Sequence, residues 1–236
     1  MKKILVTGGN SRFAKILRDT NSKYQFIFTN KTQLNISNLN SIKKSLKKNK
    51  PHAVLHLAGL SRPMIDHENN ISKSINLNII GTCNLVNECE KRKIKLIYFS
   101  TSYVYAGKKG NYKEEDPIYP WNNYAWSKLG GECAVQMYKN SLVLRVCMTE
   151  KPFIHKEAFS DVKTNFIYHE EIADMLLKLL HHRGVINVGG PIKSVYDFAK
   201  TLNPKIKKVS AKKTMLNKFP LNPSMNVSKL KKIISK

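Results

Sequence analysis

The sequence predicts a doubly wound α/β protein, a parallel sheet covered by helices on both faces, with a small lobe at its carboxyl end. Short apolar runs alternate with amphipathic stretches as far as Glu150, the rhythm of βαβ units. The first apolar run ends in Gly8-Gly9 directly ahead of a helical segment. After about Glu150 the alternation weakens and the chain becomes lysine-rich.

The elements follow in order. Lys3–Thr7 reads as a strand and Phe13–Arg18 as the helix behind the glycine turn. Tyr24–Thr29 is a second strand. A lysine-rich helix follows near Ser41–Lys48, where Ile42 and Leu46 sit four apart on one face. His52–Leu57, introduced by Pro51 and closed by Ala58-Gly59, is a third strand. Ile75–Lys91 is a long helix, Lys95–Ser100 a strand, Tyr124–Tyr138 a helix and Ser141–Val146 a strand. Beyond them lie helices at His169–His181 and Ser194–Leu202. The expected division is a sheet domain over 1–150 and a small lobe over 151–236, partly interleaved with the sheet.

Composition excludes several classes. At 236 residues with 42% hydrophobic and 24% charged residues, the chain is globular and long enough to bury a core. No apolar run approaches the roughly 18 to 20 residues that span a bilayer. The apolar stretch after the basic start is too short for a signal peptide. Cys83, Cys89, Cys133 and Cys147 have no metal or disulfide spacing, and His181-His182 lacks spaced partners. The expectation is a reduced, cytoplasmic protein with no metal and no membrane association. The 41 Lys+Arg against 16 Asp+Glu give a net charge of +25. The lysines are spread along the chain with few interleaved aromatics, which favours small phosphorylated ligands over nucleic acid.

Three constellations carry chemistry. Thr7-Gly8-Gly9-Asn10-Ser11-Arg12-Phe13-Ala14 joins the first strand to the first helix with small residues at Gly8, Ser11 and Ala14. Such a turn lets backbone approach a pyrophosphate that meets the helix N-terminus, the arrangement of a dinucleotide site. The second strand ends at Thr29-Asn30-Lys31 without an acid to hold a ribose 2′-hydroxyl, while Arg12 and Lys31 suit a 2′-phosphate. NADP is therefore expected over NAD. The third constellation pairs the strand end Ser100-Thr101-Ser102-Tyr103-Val104-Tyr105 with Tyr124-Ala125-Trp126-Ser127-Lys128. A spacing of four puts Tyr124 and Lys128 on one helical face, where the ammonium assists proton transfer by the phenol. Thr101 is placed to hydrogen-bond the reacting oxygen.

With these motifs in order, the chain resembles the extended short-chain dehydrogenase/reductases, the NAD(P)-dependent nucleotide-sugar epimerases, dehydratases and reductases. The resemblance runs from Lys3 to about Leu230. It adds His56-Leu57-Ala58-Gly59, Asn78-Ile79-Ile80-Gly81-Thr82 and Gly131-Glu132 to the motifs above. Leu34-Asn35-Ile36, Pro220-Leu221-Asn222-Pro223-Ser224 and Ser228-Lys229-Leu230 are similar to segments of its keto-sugar reductases. The resemblance implies a Rossmann-type fold. It implies Gly8, Ser11, Arg12, Phe13 and Ala14 around the pyrophosphate and adenosine, with Asn30 and Lys31 at the 2′-position. Asn35 and Ile36 would flank the adenine, and Leu57, Ala58, Gly59 and Asn78 the nicotinamide side. Thr101, Tyr124 and Lys128 would be catalytic, and Ser61, Arg62, Ser102 and Tyr103 would meet a nucleotide-sugar substrate. A homodimer through the helices holding Asn78 and Lys128 is implied as well.

The chain departs from the pattern at Ser11, Ala14 and Asn35, and at Val146-Cys147-Met148. The stretch from Cys147 to His169 is shorter than the family's. Ser102-Tyr103 stands where the dehydratases have Asp-Glu, which argues against elimination. Cys147 and His155 form a conceivable acid/base pair, although a core thiol and a surface imidazole account for them as well. Asp66, His67 and Glu68 follow Ser61-Arg62-Pro63 on the loop after the third strand. The reading is a reductase of a 4-keto-6-deoxy nucleotide sugar. A 4-epimerase with retained NAD and a non-catalytic NADP-binding protein are the alternatives.

Overall fold

Strands buried on both faces have no reason to alternate polar and apolar residues, and the central strands here are close to continuously apolar. The computed structural model describes residues 1–214 and 220–235. Its sheet contains β1 (Lys3–Thr7), β2 (Gln25–Thr29), β3 (Ala53–His56), β4 (Lys95–Thr101), β5 (Ser141–Val146) and an edge strand, Gly184–Val188. All pairings are parallel, in the order Gly184–Val188, β5, β4, β3, β1, β2. The order reverses between β1 and β3. There the chain leaves the two strands toward opposite faces and opens a crevice at their carboxyl ends. Thr7 lies beside His56 and Thr101 beside Val146, so the polar strand ends gather along one edge.

Helices cover both faces. α1 (Arg12–Asp19) buries Phe13, Ala14 and Leu17 and is capped by Ser11, whose hydroxyl accepts from the Ala14 amide. α2 (Leu39–Asn49) buries Ile42 and Leu46 behind an Asn38 cap. α3 (Ile65–Asn69) and α4 (Ile71–Ser74) are short and lead through a π-helical turn, Ile75–Ile80, into α5 (Gly81–Lys91). The expected helix Ile75–Lys91 thus starts earlier and carries a wide turn, a feature common at functional sites. α6 (Asn123–Met137) and α7 (His169–Leu179) complete the layers. Neighbouring strand residues face opposite cores. Val54 packs with Leu34, Ile42, Leu85 and Leu96, and Leu55 with Phe13, Phe99, Ile172 and Leu176.

Past residue 150 the chain does two things. The edge strand Gly184–Val188 returns to the sheet against β5, a strand that the weakening alternation concealed. A separate small core gathers Phe153, Ala158, Val162, Val195, Ala199, Ile206 and Ala211. All four cysteines are free, with Cys89 and Cys147 buried. No helix among the described residues is long and apolar enough to cross a membrane.

Candidate active site

The crevice is a cavity of about 610 Å³ at the carboxyl ends of the central strands. Its wall takes Ser11–Phe13 from the start of α1, Leu57–Arg62 after β3, Thr101–Tyr103 after β4, and Tyr124 and Lys128 from α6. The segment after β5 closes it with Cys147, Glu150, Phe153, His155 and Phe159, so the shortened stretch from Cys147 to His169 still builds a wall.

The first two turns touch. Gly8 has φ +66°, and a Cβ there would lie 2.8 Å from the Ala58 Cα, so only glycine permits this approach. Behind it a buried network fixes the β3 turn. The Thr82 hydroxyl donates to the Asn78 carbonyl at 2.8 Å, so it accepts from His56 Nε2 at 3.1 Å. That assigns the tautomer: the Thr7 hydroxyl donates to His56 Nδ1 at 2.8 Å. The Thr7 oxygen in turn accepts from the amides of Leu57 and Ala58 at 3.2 and 3.1 Å. Burial, and after it the Lys128 charge, push the His56 ring down to about 3, so it is a neutral strut. Asn78, carried inward by the π-helical turn, accepts from the Leu60 amide and donates to the Leu60 carbonyl and to Ser127 Oγ. It joins the β3 loop to α6 without lining the cavity.

Asn122 caps α6 by accepting from the Ala125 amide at 2.8 Å, which puts Tyr124 and Lys128 one turn apart at the helix entrance. The phenol is pushed up by burial, while Thr101 and the Arg62 charge favour its ionised form. The Lys128 ammonium sits 4.1 Å from the centre of the Tyr98 ring. Burial pushes it down to about 7, against the opposing pull of Glu132. The Tyr124 ring is met edge-on by His67 at 5.1 Å and by Tyr103 at 6.1 Å. A protonated phenol, a hydroxyl beside it and a cation one turn away can deliver a proton to a carbonyl oxygen in the cavity.

Three charges cross the mouth. Arg12 donates to Glu150 Oε1 at 2.8 Å and Arg62 to Oε2 at 3.1 Å. Burial would raise the Glu150 carboxyl, but the two guanidiniums hold it below its usual range. Sequence reasoning missed Glu150. The available signal was an acid just past β5 in a chain with few acids.

Of the expected residues, Thr101, Tyr124, Lys128, Ser11, Arg12, Phe13, Leu57, Ala58, Gly59, Ser61, Arg62, Ser102 and Tyr103 share this one cavity. Gly8 packs against the Ala58 backbone and Ala14 is buried in the core, and neither lines the cavity. Arg12 and Lys31 do not meet: Arg12 turns to Glu150, and Lys31 is exposed beyond β2, outside the wall. Asn30 spends its side chain on its own turn, accepting from the amides of Thr32 and Gln33. Asn35 accepts from the Ser37 amide and Ile36 is buried in the core, both away from the cavity. Cys147 and His155 line the same cavity. Burial pushes the Cys147 thiol up, and it lies 3.0 Å from Thr164 Oγ1. No group of three or more potential ligands among the described residues is arranged for a metal.

Strand order, glycine turn and the cavity at the switch point define a doubly wound α/β protein of the extended short-chain dehydrogenase/reductase type. Residues 1–150 match the family described as RmlD substrate binding domain, and the chain belongs to that family. It is 27% identical over 203 residues to a dTDP-4-dehydrorhamnose reductase of Aggregatibacter actinomycetemcomitans, covering 81% of this chain and 63% of that one. It is also 35% identical over 103 residues to methionine adenosyltransferase 2 subunit beta of Pongo abelii, 44% of this chain and 30% of that one. The chain thus spans less than two thirds of the length of either relative. The crystal structure of dTDP-4-dehydrorhamnose reductase from Bacillus anthracis in complex with NADP superposes with a TM-score of 0.86 at 22% identity, over 98% of this chain and 92% of that one.

Proposed function

We propose that the protein is an NADP(H)-dependent reductase of a 4-keto-6-deoxy nucleotide sugar. The observation that carries the reading is the meeting of Thr101, Tyr124 and Lys128 in one cavity with the start of α1 and the β3 turn. The reductase named among the relatives, and the NADP in the Bacillus anthracis structure, support it.

The residues present fit a dinucleotide. The close approach of Gly8 to Ala58 brings the β1 turn against the β3 turn that lines the cavity. The first turn of α1 carries no acid, so its N-terminus favours an anion. Ser11, Arg12 and Phe13 would hold the pyrophosphate side, and Leu57, Ala58 and Gly59 the nicotinamide side. Lys31 would meet the 2′-phosphate, because Asn30-Lys31 directly follows Thr29, whose carbonyl accepts from the Gly9 amide at 2.8 Å. When bound, the reduced nicotinamide supplies hydride to the carbonyl carbon.

The chain's own residues do the rest. Tyr124 donates the proton to the carbonyl oxygen, and its raised pKa suits a group that starts each turnover protonated. Thr101 orients that oxygen. Lys128 lends positive charge to the phenolate as it forms. Arg62 orients the substrate from the β3 loop, with Ser61, Ser102 and Tyr103 on the same side. The small core past residue 150 is the substrate lobe, and its apolar wall (Phe153, Phe159, Phe166) shields the reacting centre from water. Because Lys128 loses its proton near pH 7, reduction is expected to slow as pH rises through about 7. A pH–rate profile checks this, and a rate flat from about pH 6 to about pH 9 contradicts it.

The first test is calorimetric titration with NADPH and NADH at fixed salt. NADPH is expected to bind with a Kd on the order of 1 μM, and Lys31→Glu to weaken it about tenfold with little effect on NADH. Protein that carries tightly retained NAD and shows no net cofactor turnover points to a 4-epimerase. Binding of neither nucleotide overturns the reading. A second reading, a nucleotide-binding protein without turnover, is favoured by one observation: part of the chain is similar to a protein named as a subunit of a transferase. NADPH binding without reduction of any keto-sugar nucleotide would select it.

A further inference from the structure

His67 is a buried titratable group beside the reacting centre that the mechanism leaves unused. It is 0% exposed, and its ring meets Tyr124 edge-on with centroids 5.1 Å apart and planes at 65°. Three attachments hold it. His67 Nδ1 and Ser74 Oγ are 2.6 Å apart, tying the ring of α3 to α4. The Asn123 side chain donates to the His67 carbonyl and, at 2.6 Å, to Glu68 Oε2, tying the backbone of α3 to α6 one residue before Tyr124. Glu68 also brings negative charge to the amino end of α6, where the helix dipole favours it. His67 Nε2 is buried without a hydrogen bond of good geometry, although the Ser61 backbone favours the protonated ring. A leucine here would leave no polar atom unpaired.

We propose that His67 is a positioning residue for Tyr124. Its ring, locked by Ser74, forms one side of the slot that fixes the phenol, with Tyr103 as the other side. His67 does not line the cavity and touches no substrate; it acts through Tyr124. The edge-to-face geometry holds the phenol ring at one angle, so that its hydroxyl stays aligned with Thr101 rather than swinging toward α3. The contact also keeps water off the α3 side of the phenol, the burial that raises its pKa.

The inference rests on reading Tyr124 as the proton donor, and its test includes a measurement that needs no substrate. The chain has 10 tyrosines, so Tyr124 is isolated by subtracting the ultraviolet tyrosinate titration of Tyr124→Phe from that of the parent protein. In His67→Ala the Tyr124 titration is expected to fall toward its ordinary value as water enters the slot. His67→Phe, which keeps ring against ring, is expected to restore it. In a keto-sugar reduction assay, His67→Ala is expected to lower kcat about tenfold with KM within about twofold, and His67→Phe to recover most of the loss. An unmoved Tyr124 titration in His67→Ala overturns the proposal, as does a His67→Phe that behaves like alanine. Parallel loss of kcat, NADPH affinity and folding in His67→Ala assigns a merely structural role and overturns it too. If His67→Ala does not fold, Ser74→Ala carries the test and must shift the Tyr124 titration in the same direction. Turnover that survives Tyr124→Phe defeats the donor assignment itself, while the titration arm still decides the slot.

Discussion

Replacing Tyr124 with phenylalanine is expected to lower kcat for a 4-keto nucleotide sugar by about 10²–10⁴-fold, the usual contribution of one positioned proton donor. The change removes one oxygen and keeps the ring. The edge contacts with His67 and Tyr103 therefore survive, and folding and NADPH affinity are expected to stay near those of the parent. The loss falls on kcat because the proton is needed only as the carbonyl oxygen gains charge. Lys128 does not replace the phenol as donor: its ammonium lies over the Tyr98 ring and is itself deprotonating near pH 7. Steady-state kinetics beside calorimetric NADPH binding separate the two effects. Turnover within about twofold of the parent would remove Tyr124 from the mechanism.

The second large effect is on stability. Arg145 and Glu132 form an ion pair at 2.7 Å with side chains 3% and 0% exposed. Each end is satisfied further. Ser100 donates to Glu132 Oε2 and Gln136 to Oε1, while Arg145 donates to the Tyr105 hydroxyl and the Glu114 carbonyl. Burial opposes the Arg145 charge, but the Glu132 carboxylate keeps it fully protonated. Arg145→Met leaves the carboxylate buried without a counter-charge and is expected to cost about 3–5 kcal/mol. For a chain of this size that lowers Tm by about 6–20 °C. Adding Glu132→Leu removes the orphaned charge and is expected to restore more than half of the loss, since a well-packed apolar pair often replaces a buried ion pair at little cost. Thermal and urea unfolding of the two single variants and the double variant measure the coupling. A loss below about 1 kcal/mol in Arg145→Met would mean that water reaches Glu132. The pair also binds α6 to β5, and Glu132 follows Lys128 by one helical turn. The variant is therefore expected to disturb the Lys128 charge along with the fold.

Much of this arrangement was legible from local spacing. Thr7-Gly8-Gly9 marked the β1 turn, and Tyr124 and Lys128 declared themselves by a separation of four. Continuous apolar runs marked β3, β4 and β5. The edge strand Gly184–Val188 was less legible, because it joins the sheet only after the chain has built the small core. At the candidate site, Arg12 and Arg62 were expected to meet phosphate or substrate; both line the cavity, and their shared partner Glu150 was not foreseen. Arg12 was expected to converge with Lys31 on a phosphate; its guanidinium instead lies against Glu150, distant in sequence, whose charge attracts it at short range.

By itself the sequence determined what nearest neighbours decide: most of the strands and helices of the sheet, the glycine turn after β1, and the face shared by Tyr124 and Lys128. Periodicity, propensity and backbone sterics act over a few residues, so these features are written locally. The tertiary structure alone decided that Arg12 and Arg62 converge on Glu150, 138 and 88 residues away in the chain. It alone decided that His67 faces Tyr124 and that Arg145 finds Glu132. Those contacts depend on which strand ends lie side by side at the switch point, and on burial that makes an unpaired charge costly.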